Sequence, residues 1–184
     1  MESWPLVKSA WHSLPRKELS AGDLLISPGQ VVDKIWRIDS GIIRLYYLGP
    51  DGKERNRSFH FEGGWIATGA PPCNTGSLFA AEAIEVSNVV SLSYREIAYW
   101  NNTYPEINNL IAETMEYLFR SQTCREAELL LLDATARYQM FLKLYAPIAH
   151  RIPLYHVASY LGITNVALSR IRRKLGFTQS ATKK

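Results

Sequence analysis

Beyond Asp133 the chain has no aspartate and no glutamate, although 51 residues remain and hold nine of its 21 lysines and arginines. The first 133 residues therefore carry 12 bases against 17 acids, and the overall charge of +4 conceals an acidic front and a basic tail. A segment of formal charge +9 without one carboxylate cannot neutralise itself, and it is suited to lie against a polyanion, DNA first among them. Cysteine is almost as scarce. Cys73 and Cys124 alone make neither a disulfide framework nor a thiolate set for a metal or an iron–sulfur cluster. Long apolar runs are missing, which excludes a membrane span, and Met1–Leu14 lacks the basic start and apolar stretch of a secretion signal. These absences lead us to expect a cytoplasmic protein with no membrane partner. His60 stands without a second histidine nearby, whereas such sites need several His and carboxylate ligands on neighbouring strands, so a cupin-like metalloenzyme is disfavoured. No nucleophile–base pair is evident either, so the expectation is a non-enzyme with no cofactor and no metal site.

What is present divides at about residue 104. Before it, short β-branched and aromatic runs alternate with turns: Asp23–Ser27 before Pro28-Gly29, Lys34–Ile38 before Asp39-Ser40-Gly41, and Ile42–Leu48 before Gly49-Pro50-Asp51-Gly52. Arg55–Phe61 and Glu85–Tyr94 follow, and the spacing predicts a small sandwich or barrel. Trp36, Tyr46, Phe59 and Trp65 would fill it or line an apolar cavity. After Pro105 no glycine or proline appears until Leu132 is passed, which predicts one long helix. Ile107, Leu110, Ile111, Thr114 and Leu118 recur along it at helical spacing, continued by Ser121 and Arg125. That face either packs on the barrel or forms a two-helix dimer seam, whose small and polar positions allow close approach. Leu129–Leu132, apolar all round, is expected to be buried on every side. Asp133 is a candidate N-cap for the next helix, with Phe141, Leu142, Leu144 and Tyr145 supplying its core.

The tail contains the sharpest pattern, LYHVASYLGITNVALSRIRRKL over Leu154–Leu175. A short apolar helix is followed by Gly162 and a second helix rich in arginine. Ala158 is small enough for close helix approach, Gly162 accepts a left-handed turn, and Thr164 can cap the second helix. Val157, Leu161, Ile163, Leu168 and Ile171 would form the shared core. The exposed side of the second helix then offers Asn165, Val166, Ser169 and Arg170 to base edges in double-stranded DNA. Thr164, Arg173 and Lys174 would meet phosphates.

A barrel-like first half, a long central helix and this helix-turn-helix together resemble the Crp/Fnr family of bacterial transcription regulators. The resemblance covers essentially the whole chain and is most specific over Ile152–Gly176. It implies an α+β fold with an N-terminal double-stranded β-roll, cupin-like in its jelly-roll form, as a sensor over residues 1–104. A dimerisation helix and hinge over 105–133 and a helix-turn-helix domain over 134–184 would follow. It also implies a homodimer on a pseudo-palindromic operator, with RNA polymerase as a further partner and a small-molecule effector or none.

The sensing segment departs from that pattern. Phe61–Ala83 has glycines but neither the family's ribose-binding Glu in register nor its phosphate-binding Arg, near whose place Ser77 falls. Cyclic nucleotide is therefore not the expected effector, and the effector-binding residues stay unknown. Haem through His60 or His12, and a redox role for Cys73, are less favoured than ordinary structural roles. The alternative function is a ligand-binding β-roll whose helix-turn-helix makes protein contacts.

Overall fold

The computed structural model describes residues 13–68, 75–103 and 106–177. It divides into two compact units, Met1–Ile111 and Ala112–Lys184. The first contains strands β1 (Arg16–Leu19), β2 (Leu24–Ile26), β3 (Lys34–Ser40), β4 (Ile43–Leu48), β5 (Glu54–His60), β6 (Trp65–Ile66), β7 (Ala80–Ala83) and β8 (Ser87–Ser93). They form two antiparallel sheets, ordered β1-β8-β3-β6 and β2-β7-β4-β5. Alternation drives the packing. Leu19, Trp36, Ile38, Ile66 and Val89 from one sheet meet Leu25, Ile26, Ile43, Leu45, Ala81 and Ala83 from the other in one buried cluster. The architecture is α+β, and the expected sandwich is present.

The opposite face of β4 is unusual. Arg44 is buried, and its guanidinium takes Glu82 bidentately through Nε and Nη2 at 3.1 and 2.8 Å. Nη1 donates to Asn56 Oδ1 at 3.1 Å, Nη2 also reaches Glu54 at 2.6 Å, and the cation lies 4.1 Å from the Tyr46 ring centroid. Burial works against the charge, but hydrogen bonds to Glu82 and Glu54 outweigh it and raise the Arg44 pKa. Tyr46, expected inside the barrel, belongs to this outer cluster, whereas Trp36 is in the core and Phe59 is buried.

β8 stops at Ser93, and α1 (Tyr94–Thr103) begins at Tyr94, which the alternation alone assigns to the strand. A reciprocal cap explains the switch. Glu96 Oε2 accepts from the Ser93 backbone N–H at 2.7 Å, and Ser93 Oγ accepts from the Glu96 N–H at 3.2 Å. Trp100 of α1 packs with Leu14, Val90 and Leu92 on the outer face of the first sheet, and Ile111 joins that cluster.

α2 (Glu106–Leu131) is the long helix, and the boundary between units falls within it. Leu129, Leu130 and Leu131 are exposed, contrary to the expected burial. Four consecutive leucines point in all directions on a helix, and the described residues do not cover them all. α3 (Ala134–Leu144), α4 (Leu154–Leu161) and α5 (Asn165–Lys174) complete the second unit. Asp133 caps α3, accepting from the Ala136 N–H at 2.8 Å, as expected. The unit's core is aromatic: Phe141 lies 5.1 Å from Tyr145 and 5.5 Å from Tyr160, and Tyr138 lies 6.3 Å from Phe141, between ring centroids. Of the residues expected for the α3 core, Phe141 and Tyr145 are buried, whereas Leu144 is exposed.

Candidate nucleic-acid interface

α4 ends in a left-handed residue, Gly162, at φ 69° and ψ 32°. The Ile163 N–H reaches back to Ala158 O at 3.0 Å and the Gly162 N–H to Ser159 O at 3.1 Å, a Schellman closure that turns the chain sharply. A side chain at Gly162 would meet no obstacle, so glycine is required there by its dihedral and not by space. Thr164 then caps α5, its Oγ1 accepting from the Ala167 N–H at 3.2 Å, an interaction of about 1 kcal/mol. Val157, Ala158, Leu161 and Leu168 are buried between the two helices and their surroundings, with Ile163 and Ile171 half-buried.

On α5, at about 100° per residue, Asn165, Ser169, Arg173, Val166, Arg170 and Lys174 fall within one half of the helix surface. All six are exposed except Ser169, which is half-buried. The side chains of Arg170, Arg173 and Lys174 make no ion pair among the described residues. Thr164 is also exposed, and because its oxygen accepts the capping bond its hydroxyl proton is left to donate outward. The helix thus presents bidentate, amide, hydroxyl and apolar groups at its first turns and bare cations at its last.

Two cations outside this face are used differently, and sequence reasoning missed both roles. Arg172 points inward: Nη1 donates to Tyr138 Oη at 2.6 Å, and the guanidinium lies 5.5 Å from the Phe177 ring centroid. Arg125 of α2 lies 3.8 Å from the Tyr160 ring centroid, donates to the Tyr160 carbonyl, and pairs with Glu128 at 3.3 Å. Burial pushes the Tyr160 hydroxyl pKa up. For Arg172 the signal was the shortage of acids, which leaves arginine with a ring face and a hydroxyl as partners; Arg125, with Glu128 at hand, carried no such signal.

Along α2 the residues named for a seam are not alike. Ile111 packs in the Leu14–Trp100 cluster of the first unit, and Thr114 and Leu118 are half-buried. The side chains of Ile107 and Leu110 lie outside the described residues. Met115, Phe119 and Leu130 stand exposed at 43%, 73% and 75%, so the uncovered apolar stripe is displaced by one position from the named one.

Within the stretch that departs from the family pattern, Ser77 is buried, its hydroxyl donating to Phe79 O at 2.7 Å and accepting from the Phe79 N–H at 3.3 Å. A guanidinium does stand close to Phe79, because Arg57 lies 5.0 Å from that ring centroid and makes no ion pair among the described residues. His60 is half-buried beside Ser58, 3.0 Å from its hydroxyl; burial and the Arg57 charge lower its pKa to about 4. Cys73 and His12 lie outside the described residues. Among the described residues, no group of three or more His, Cys, Asp or Glu could hold a metal, and no helix is long and apolar enough to cross a membrane.

No protein-family model matches the sequence, and no curated protein matches it. Solved structures do match the fold. FixK2 from Bradyrhizobium japonicum superposes with a TM-score of 0.76 at 17% identity, over 89% of this chain and 84% of that one. The c-di-GMP-responsive global regulator CLP of Xanthomonas campestris gives 0.75 at 14%, over 92% and 90%. A CooA mutant from Carboxydothermus hydrogenoformans gives 0.76 at 16%, over 96% and 84%. These structural neighbours are regulators of the Crp/Fnr family, and the chain has their fold along most of its length.

Proposed function

We propose that the chain is a sequence-specific DNA-binding transcription regulator of the Crp/Fnr type and not an enzyme. It acts as a cytoplasmic homodimer on a pseudo-palindromic operator. Residues 1–104 serve as a β-roll sensor domain, 105–133 as the dimerising helix and hinge, and 134–184 as the helix-turn-helix domain. The observation that carries this reading is the outer face of α5, where six polar, basic and apolar side chains share one half of a helix in an acid-free segment. Asn165, Val166, Ser169 and Arg170 read base edges, Arg170 taking guanine O6 and N7 as a fork. Thr164, Arg173 and Lys174 hold phosphates and set the register.

The dimer reading rests on α2. Ala112, Met115, Phe119, Gln122, Glu126 and Leu129 follow one another at alternating steps of three and four residues, the period of a coiled-coil seam, and all are exposed. Thr114 and Leu118 flank that stripe, so a second copy of the helix would cover both sets. Control independent of cyclic nucleotide is supported by Ser77, which falls in sequence near the family's phosphate-binding arginine and has its hydroxyl committed to Phe79.

Selection of bound duplexes from a random DNA library, with and without cell extract, tests the proposal. The expected product is a dyad whose half-sites lie about one helical turn, roughly 10 base pairs, apart. Enrichment of no sequence under either condition would exclude this function, and a site without dyad symmetry would exclude the dimer.

A further inference from the structure

The readers on α5 and the seam on α2 belong to different helices, joined in sequence only through Leu132, Asp133 and the intervening α3 and α4. Half-site spacing is a geometric property of a dimer, so something must hold α5 at a fixed angle to α2. A continuous chain of interactions links the two helices. Arg125, on the last two turns of α2, lays its guanidinium on the face of Tyr160 and donates Nη2 to the Tyr160 carbonyl. That carbonyl is among the last four of α4, which a helix cannot satisfy internally, so the arginine caps α4 while stacking on it. Glu128, one turn further along α2, holds the same guanidinium at 3.3 Å. The Tyr160 ring packs on Phe141 and Tyr145, Phe141 stacks with Tyr138, and the Tyr138 hydroxyl accepts from Arg172 of α5.

Lysine cannot replace this arrangement, because an ammonium has neither the flat face nor the fork that lets one group stack and donate together. Apolar packing alone would fix distances between helices while leaving their rotation softer, since rings slide more easily than hydrogen bonds break. We infer that Arg125, through Tyr160, is a positioning residue that fixes the recognition helix relative to the dimer axis, and so selects operators by half-site spacing and not by base sequence. This inference rests on the DNA-binding reading above, but its mechanical part does not.

The two parts are separated by two measurements on the full chain. In the first, spin labels are placed at the native Cys124, exposed on α2 away from the seam, and at Lys174→Cys, with Cys73 changed to Ser and the labelled chain diluted with unlabelled chain so that intrachain distances dominate. Double electron–electron resonance should give a narrow distance distribution for the parent and for Tyr160→Phe, which keeps the ring face and carbonyl. Arg125→Ala and Arg125→Lys should broaden it. In the second, unlabelled proteins bind the selected operator, the same operator with its half-sites a fraction of a turn further apart, and a single half-site. The parent and Tyr160→Phe should prefer the correct spacing by about tenfold or more, and the two Arg125 variants by about threefold or less, with half-site affinity unchanged.

An unchanged distribution in both Arg125 variants overturns the clamp whatever the protein binds. A broadened distribution with unchanged spacing preference overturns the specificity role. If the parent binds no selected duplex at all, the regulator reading fails and the specificity role falls with it, while the distance measurement still decides the clamp. Should Arg125→Ala fail to fold, Arg125→Lys carries both measurements.

Discussion

The two units surround their arginines differently. In the first, Arg44 is surrounded: two carboxylates, an amide oxygen and a ring face neutralise it on the sheet surface. In the second, Arg125 keeps one carboxylate, Glu128, beside the Tyr160 ring; past Asp133, where acids end, Arg172 turns to Tyr138 and Phe177, and Arg170 and Arg173 make no ion pair among the described residues. Acid supply decides the difference. Where carboxylates are at hand a cation becomes internal glue; where they are missing, the leftover charge is available only to something outside the chain. Beyond Asp133 the same residue type is structural at Arg172 and, by our proposal, a DNA ligand at Arg170 and Arg173.

The comparison would break first at Arg44. Replacing it by alanine leaves Glu82 largely buried and unpaired, and the expected loss is about 3–5 kcal/mol in urea unfolding of the full chain. Changing Arg44 and Glu82 together to leucine should recover much of that loss, because a matched apolar pair carries no buried charge. A single-variant loss below about 1 kcal/mol would show that the cluster is solvated and behaves like any surface pair.

How much of the molecule is legible in its sequence follows the range of the forces involved. Gly162, Thr164 and Asp133 are legible because a cap or a left-handed turn is settled by two or three neighbouring residues. β3, β4 and β5 announce themselves by alternation between turns. β7, with the sequence AAEA, and β1, with RKEL, carry weak strand preference and exist because β4 and β8 offer them partners. Ser93 and Glu96 have the spacing of a capping box, yet the β-branched run before them masks the start of α1. In the candidate site, the outward face of α5 can be read from helical period. The diversion of Arg172 to Tyr138 cannot, since the two are 34 residues apart and meet only in the folded unit. The leucines at the end of α2 defeat a reading that buries them within one chain, because a dimer seam would draw their cover from a second.

A smaller effect is expected at the bare cations, and it sharpens the comparison by separating them from one another. Arg170→Ala should cost about 1–3 kcal/mol on the selected operator and relax preference at one base pair in each half-site. Arg173→Ala should weaken selected and random duplexes alike, and reduce the salt dependence of binding by about one unit of slope for each phosphate no longer neutralised. Both chains should unfold like the parent, since neither side chain has an ion pair to lose among the described residues. If either variant lost stability instead of affinity, that arginine would belong with Arg44 and the proposed division would fail.

The smallest effect tests the first unit at Arg57, a further cation of its sheets. Arg57 has no carboxylate partner among the described residues, and together with burial it lowers the His60 pKa from 6.5 to about 4. In the unfolded chain His60 takes up its proton near pH 6.5, whereas in the folded chain it resists until about pH 4. The unfolded state therefore binds more protons in that window, and stability should fall as the pH drops from about 6.5 towards 4. His60→Gln removes the titrating group and should flatten this part of the profile. Arg57→Gln removes only the lesser of the two causes and should flatten it in part. Equal slopes in all three chains would mean that neither group is shielded from water, and that an unneutralised arginine inside the acidic unit costs nothing.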